Sequence, residues 1–163
     1  MKILITGSNG LLGQKLINKL KSDSFFSLIA TSKGQNRVKN RKGYKYFNLD
    51  ITDNFAVSNI IFDIQPDVVI NTAAMTNVDL CEDQKEKCDD LNCNAVGYLA
   101  NACLSVNAHL IHISTDFVFD GKSGPYKEDD VPNPLSYYGM SKLKSEQLLL
   151  QHNVQSTILR TII

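Results

Sequence analysis

The chain has no tryptophan, no net charge and no long apolar run, and the last two absences remove whole classes of function. Its 17 Lys and Arg are balanced by 17 Asp and Glu, with the two signs mixed along the chain. A nucleic-acid binder would carry a basic face or stripe, and none is present. The densest basic stretch runs from Lys33 to Lys45 and includes Arg37, Lys39, Arg41 and Lys42. It reads as a solvated loop unless a phosphate sits on it. No segment approaches the roughly 18 apolar residues of a membrane span. The first apolar run stops at Thr6-Gly7, well short of a signal-peptide core. A cytoplasmic protein with neither membrane nor nucleic acid as partner is expected. Cysteine is scarce too: Cys81, Cys88, Cys93 and Cys103 fit no C-x-x-C pattern, so a reduced protein without a metal site is expected.

What is present is a core. At 163 residues and 43% hydrophobic, the chain suits one globular α/β domain. Apolar runs alternate with helical periodicity from end to end. Strands are expected at residues 3–5, 25–30, 44–49, 67–71, 109–113 and 157–163. Helices are expected at 11–20, from a cap at Thr52 or Asp53 to Ile64, at 91–106, and from Ser136 or Tyr137 to His152. Residues 79–90 read as an exposed helical turn or two. Such alternation predicts a Rossmann-type doubly wound parallel sheet with helices on both faces.

Ligands of such sheets bind beyond the carboxyl ends of the strands. Those ends carry Thr6-Gly7, Thr31-Ser32, Asp50-Ile51, Asn71-Thr-Ala-Ala74 and Ser114-Thr-Asp116. The first is the most telling. Met1 to Gly13 reads strand, glycine turn, helix, with glycines at 7, 10 and 13. Glycine lets a diphosphate approach the backbone, and the helix start offers it free N–H groups. The plainer alternative is a tight turn. The end of the second strand, where an NAD-binding domain usually places a carboxylate, has Ser32 and Lys33, with Arg37 close behind. Hydroxyl and cationic groups suit a 2′-phosphate, so NADP(H) is predicted over NAD(H). Asp50 and Ile51 are placed to flank the adenine.

Tyr138 and Lys142 lie four apart on a helix and share a face. An ammonium beside a phenol lowers the phenol's pKa toward working pH and makes it an acid–base group for a carbonyl. An ordinary surface pair is the alternative. Tyr137 is a decoy, since Ser141 lies four residues on from it. Thr115, just past the fifth strand, can hydrogen-bond the same carbonyl or simply make a local turn. Asp116 beside it can cap a turn or bind a substrate hydroxyl. The irregular stretch from Ser114 to Pro134 is long enough to be functional.

Together these residues identify a resemblance to the extended short-chain dehydrogenase/reductases, and within them to dTDP-4-dehydrorhamnose reductases. It rests on Thr6-Gly-Ser-Asn-Gly-Leu-Leu-Gly13, Leu49-Asp-Ile-Thr-Asp53, Asn71-Thr-Ala-Ala-Met-Thr-Asn-Val-Asp79, Ser114-Thr-Asp-Phe-Val-Phe-Asp-Gly121, Pro134-Leu-Ser-Tyr-Tyr-Gly-Met-Ser-Lys142 and Ile158-Leu-Arg-Thr161. The resemblance implies Tyr138 as general acid, with Lys142 tuning it and holding the nicotinamide ribose. It implies Thr115 on the substrate carbonyl and Asp116 beside the sugar. Gly7, Asn9, Gly10, Leu11 and Leu12 would contact the diphosphate. Ala73, Ala74 and Thr76 would line the middle of the cofactor, and Asn94 would sit near the active-site end. The cofactor implied is NADP(H), with NAD(H) also permitted. The substrate implied is a nucleotide sugar, reduced at its 4-keto group to dTDP-L-rhamnose, and a homodimer is left open. Residues 1–163 would form the cofactor domain, with a substrate domain expected beyond Ile163. The same motifs occur in NADP-binding regulatory subunits of methionine adenosyltransferase. That alternative and a nucleotide-sugar epimerase or dehydratase are the competing readings.

Overall fold

The computed structural model describes residues 1–162. Among them, six strands form one parallel sheet in the order β3-β2-β1-β4-β5-β6. They are β1 (Lys2–Thr6), β2 (Ser27–Ser32), β3 (Lys45–Asn48), β4 (Val68–Asn71), β5 (His109–Thr115) and β6 (Ser156–Thr161). The helices are α1 (Leu11–Leu20), α2 (Asn54–Ile64), α3 (Val78–Asp83), α4 (Lys85–Asp89), α5 (Ala95–Ser105) and α6 (Tyr137–Gln151). The chain reverses its direction of travel across the sheet between β1 and β4. A parallel sheet leaves a crevice at such a point, outside the carboxyl ends of its strands.

Side chains alternate across the sheet, so each strand feeds two cores. Leu4, Ile29, Val69 and Leu110 pack under α2, α5 and Leu149 of α6. Ile3, Ile5, Leu28 and Ala30 pack on the other face with Ile17 of α1 and with Val38. Among the described residues no helix joins β2 to β3; Val38 from that loop fills the place one would occupy. Helix starts are capped by side chains where the sequence allows. Asp53 accepts the Ala56 N–H at 3.0 Å, and Ser136 accepts the Gly139 N–H at 3.1 Å. Each such cap stabilises its helix by about 1 kcal/mol.

The doubly wound sheet agrees with expectation; most strand ends shift by a residue or two, β5 running on to Thr115, and three local features differ for identifiable reasons. β2 starts at Ser27 rather than residue 25. Asp23 takes the Phe25 N–H at 2.9 Å, and the two phenylalanine rings meet edge to face in a turn. Residues 79–90 are not a merely exposed turn: α3 and α4 bury Cys81 and Cys88 against Tyr138. The helix expected over 91–106 begins as a π-helical turn, Asp90–Asn94, before α5 proper. The last residue of the expected final strand, Ile163, lies outside the described residues.

Candidate functional site

The cradle begins where β1 ends. Gly7 has φ 66°, and a Cβ there would lie 2.5 Å from the Ala73 backbone nitrogen. A Cβ on Gly13 would lie 2.6 Å from the Gly7 carbonyl oxygen. Only glycine permits this packing of turn, helix and the loop after β4. α1 then starts at Gly10 with no side-chain cap and no acid in its first turn. Its first N–H groups and the positive end of its dipole are left for an anion. The Ser8 hydroxyl beside them is buried and lacks a partner among the described residues. The donors and the glycine-lined approach fit a dinucleotide diphosphate.

A cleft of about 600 Å³ opens from this turn along the strand ends. Of the residues singled out from the sequence, Gly7, Gly10, Ser32, Lys33, Asp50, Ile51, Ala73 and Ala74 line it. Thr72 and Met75 complete its inner wall. Lys33 Nζ bridges to the Asp50 carboxylate at 2.6 Å. That contact holds Asp50 below the usual carboxylate range, with help from Thr52. Asn9 works as a brace: its amide donates to Gln35 O at 2.9 Å and accepts the Arg37 N–H at 2.8 Å.

Several expected contacts fall elsewhere. Arg37 is exposed and does not line the cleft. Leu11 and Leu12 sit at the start of α1 with exposed side chains, so only their backbone faces an anion. Thr76 is exposed; Met75 takes the wall position instead. Asn94 is also exposed, its amide on Asp90 at 2.9 Å. The asparagine that reaches the site is Asn92, inside the π turn. Asn92 accepts the Met75 N–H at 2.7 Å, and its amide donates to Met75 O and to Ser141 Oγ, both at 3.0 Å. It ties the cleft wall to α6. The widened turn is what turns this side chain inward, a use π turns often have at sites.

α6 brings Tyr138 and Lys142 inward at 5% and 1% exposure. Thr115 is the last residue of β5 and is buried beside them. Its oxygen accepts the Phe117 N–H at 3.2 Å and so also caps the short 3-10 turn that follows. Tyr138 departs from expectation. Burial pushes its phenol up, opposed by a hydrogen bond with Thr115. Lys142 does not lower it, because its side-chain nitrogen ends on His112 Nε2 at 3.0 Å. Burial lowers Lys142 itself to about 8, against the pull of Glu146. Tyr138 is therefore a proton-bearing phenol at neutral pH. Tyr137 is engaged elsewhere, on Asp89 at 2.8 Å.

Asp116 lines a second hollow of about 370 Å³ with Phe117, Phe119, Asp120, Tyr126 and Leu135. It opens beside Thr115, at the far side from the glycine turn. The four cysteines are free thiols, and among the described residues no helix is long and apolar enough to cross a membrane.

Comparison with known proteins places this geometry. The chain is 36% identical over 159 residues to methionine adenosyltransferase 2 subunit beta of Bos taurus, covering 98% of the chain and 46% of that protein. It is 40% identical over 161 residues to the dTDP-4-dehydrorhamnose reductase of Aggregatibacter actinomycetemcomitans, 98% of the chain and 50% of the relative. The chain thus spans about half the length of the curated relatives it matches. Among solved structures, a hypothetical dTDP-4-dehydrorhamnose reductase from Sulfolobus tokodaii superposes with TM-score 0.87 at 40% identity, over 99% of this chain and 56% of that one. The dTDP-4-dehydrorhamnose reductase from Bacillus anthracis, solved in complex with NADP, gives 0.81 at 30% identity, over 99% and 53%. The model of one family, described as the RmlD substrate binding domain, matches residues 1–163. With its doubly wound sheet, glycine cradle and Tyr138–Lys142 face, the chain belongs to the RmlD substrate binding domain family.

Proposed function

We propose that the chain is the NADP(H)-binding part of a nucleotide-sugar reductase that converts dTDP-4-dehydrorhamnose to dTDP-rhamnose. The observation that carries this reading is the buried group of Tyr138, Thr115 and Lys142, joined to the cleft wall through Asn92 and Met75. The reductase of that name at 40% identity supports the substrate class. When bound, the nicotinamide supplies hydride to the carbonyl carbon. The residues do the rest. The glycine turn and the start of α1 hold the diphosphate. Ser32 and Lys33 face the adenosine end and favour a 2′-phosphate, while NAD(H) is a permitted second cofactor. Thr115 and Tyr138 hydrogen-bond the 4-keto oxygen, and Tyr138 releases its proton to that oxygen as negative charge develops there. A raised phenol pKa suits this direction, because the acid is fully protonated at neutral pH. Asp116 and its hollow receive the sugar. In this reading residues 1–163 supply the cofactor domain, and a separate C-terminal domain supplies the remaining sugar contacts.

A second reading is an NADP-binding regulatory subunit, favoured by the 36% identity to methionine adenosyltransferase 2 subunit beta over the same residues. One experiment separates the two. NADPH oxidation with dTDP-4-dehydrorhamnose is expected for the full-length protein that includes the C-terminal domain, with little or none for residues 1–163 alone, and in the full-length protein Tyr138→Phe is expected to lower kcat by about 100- to 10,000-fold with NADPH binding retained. NADPH binding without turnover in the unaltered protein would favour the regulatory reading. Equal turnover by the two proteins would remove Tyr138 from the role of acid.

A further inference from the structure

His112 is buried completely in the middle of β5, and no step above uses it. Its ring has a polar partner on each side. Nδ1 faces Asn71 Nδ2 at 3.2 Å. Nε2 faces Ser145 Oγ at 3.1 Å and Lys142 Nζ at 3.0 Å.

These contacts determine where the ring carries its hydrogen. The Asn71 amide has one orientation only. Its Oδ1 accepts the Ala73 backbone N–H at 3.2 Å and the Thr6 hydroxyl at 2.6 Å. A backbone N–H is a donor without alternative, so oxygen must face it. Asn71 Nδ2 therefore donates to His112 Nδ1, which must hold a lone pair. A neutral imidazole then has its hydrogen on Nε2. Ser145 Oγ accommodates this: its own hydrogen goes to Lys142 O at 2.7 Å, leaving its lone pairs toward the ring. Lys142 does not, if it is an ammonium. An ammonium has three donors and no lone pair, so at 3.0 Å it would set donor against donor. As an amine it shares the single Nε2–H with Ser145 Oγ, and no donor is set against a donor.

We propose that His112 is a positioning residue that holds Lys142 as a neutral amine in the ligand-free protein in mildly alkaline solution, and that Lys142 then takes up a proton once a hydroxyl-bearing ligand offers it an oxygen. The balance is simple: the amine and one proton from solvent give the ammonium, with no other bond made or broken. The neighbours agree. Glu146, one turn along α6, would favour an ammonium, but its carboxylate is already held by Arg160 at 2.7 Å and by the Ser114 hydroxyl. Cys88 on α4 is a fully buried thiol, and Tyr138 on α6 stays a neutral phenol. Burial lowers Lys142 to about 8 and holds His112 well below its ordinary value. The ligand-free part of this inference stands without the reductase reading; the proton uptake rests on it.

The test starts with ligand-free protein labelled at histidine and lysine. Long-range proton–nitrogen spectra read the tautomer, and the Lys142 side-chain carbon shift reads its titration. The expected result is Nε2–H on His112 and a Lys142 midpoint near 8. In His112→Gln, whose carbonyl can face Nζ, the midpoint rises by about one unit or more toward the ordinary lysine value. An Nδ1–H tautomer, an ordinary Lys142 midpoint in the unaltered protein, or an unchanged midpoint in His112→Gln each overturns the proposal. Should that variant not fold, the tautomer and the unaltered protein's titration decide alone. Calorimetry of NADPH binding near pH 9 in two buffers of different ionisation heat adds the second arm. About one proton is expected to be taken up per NADPH bound, and far less in His112→Gln. Binding without uptake overturns the proposal. Absence of NADPH binding counts against the cofactor reading instead, and the spectra then decide the role of His112.

Discussion

At the scale of the residue, Gly7 and Lys33 stand for two kinds of contribution. Gly7 is structural first, because its missing Cβ is what lets the turn lie on Ala73, and in the proposed reading that turn also holds the diphosphate. Gly7→Ala is expected to lower stability by about 1–3 kcal/mol and to abolish measurable NADPH binding; urea unfolding and fluorescence titration check the two effects. Lys33 is exposed and its one ion-pair partner, Asp50, is on the cleft wall, so its removal is expected to affect ligand binding more than stability. Lys33→Ala is expected to weaken NADPH about tenfold, the worth of one charge-assisted contact, and NADH hardly at all. Arg37→Ala is expected to weaken NADPH less, because Arg37 does not line the cleft. Competitive titration of both cofactors reads these ratios. The sequence made Tyr138, Lys142 and the three glycines legible, because their meaning depends on spacing. It hid Asn92 behind Asn94. The two are alternatives only once the helix register is known, and a π turn leaves no mark in a 3.6-residue periodicity. The direction of the Tyr138 shift was equally hidden. A helix face brings two residues near each other, while which partner a buried lysine takes depends on a strand far away in sequence.

At the scale of the element, the stretch from Phe119 to Asn133 is the clearest case of order without regular structure. Asp120 organises it, accepting from Tyr126 OH at 2.6 Å, from the Lys122 N–H at 3.0 Å and from Asn133 Nδ2 at 3.0 Å. Phe119 stacks on Tyr126 at 4.3 Å, and Arg160 lies over Phe119 at 5.0 Å. The Tyr126 hydrogen bond, above all, lowers Asp120 to about 2. A carboxyl depressed on folding contributes stability that is present above its unfolded value and lost as the pH falls toward the folded one. The segment is therefore expected to loosen between about pH 4 and pH 2, read as a loss of the Tyr126 signal in near-ultraviolet circular dichroism. Asp120→Asn, which keeps an acceptor but not the charge, is expected to flatten that dependence. Only the length of this segment was readable from the sequence. Its glycines and prolines mark a loop, and nothing in their pattern reveals that one carboxylate gathers it.

At the scale of the molecule, the layer plan was the most legible feature, since apolar strands alternating with helices admit few arrangements. The unequal cover of its two faces was not. On the α1 side, Ile70, Ile111 and Ile113 are only half-buried and Leu159 is 45% exposed. Global stability carries the signature of the buried lysine. Lys142 is near 8 when folded, against an ordinary value of 10.5. Between those values the unfolded chain binds the extra proton, so the lysine's contribution to stability rises with pH across the window. The buried thiols of Cys81 and Cys103, pushed up to about 12, act in the opposite sense with or without the lysine. The lysine is therefore read as a difference: from pH 7.5 to pH 10 urea unfolding is expected to show the unaltered protein gaining on the order of 1–3 kcal/mol relative to Lys142→Met. The loop that stands in for a helix between β2 and β3 has a consequence of another kind. The segment that follows Ser32 and Lys33 contributes no helix to either layer, and Val38 is its contribution to the α1-side core. The segment is held by that one buried valine, by the Asn9 brace to Gln35 and Arg37, and by hydrogen bonds that tie Gly34 to Asn48 and Tyr46 and Asn36 to Tyr44. Its exposed residues outside these contacts are expected to tolerate replacement while the sheet and its helices keep their stability, as thermal unfolding would show. In the reading proposed above, this short segment sets selectivity between the two nicotinamide dinucleotides, and transplanting a dozen or so residues is expected to change it.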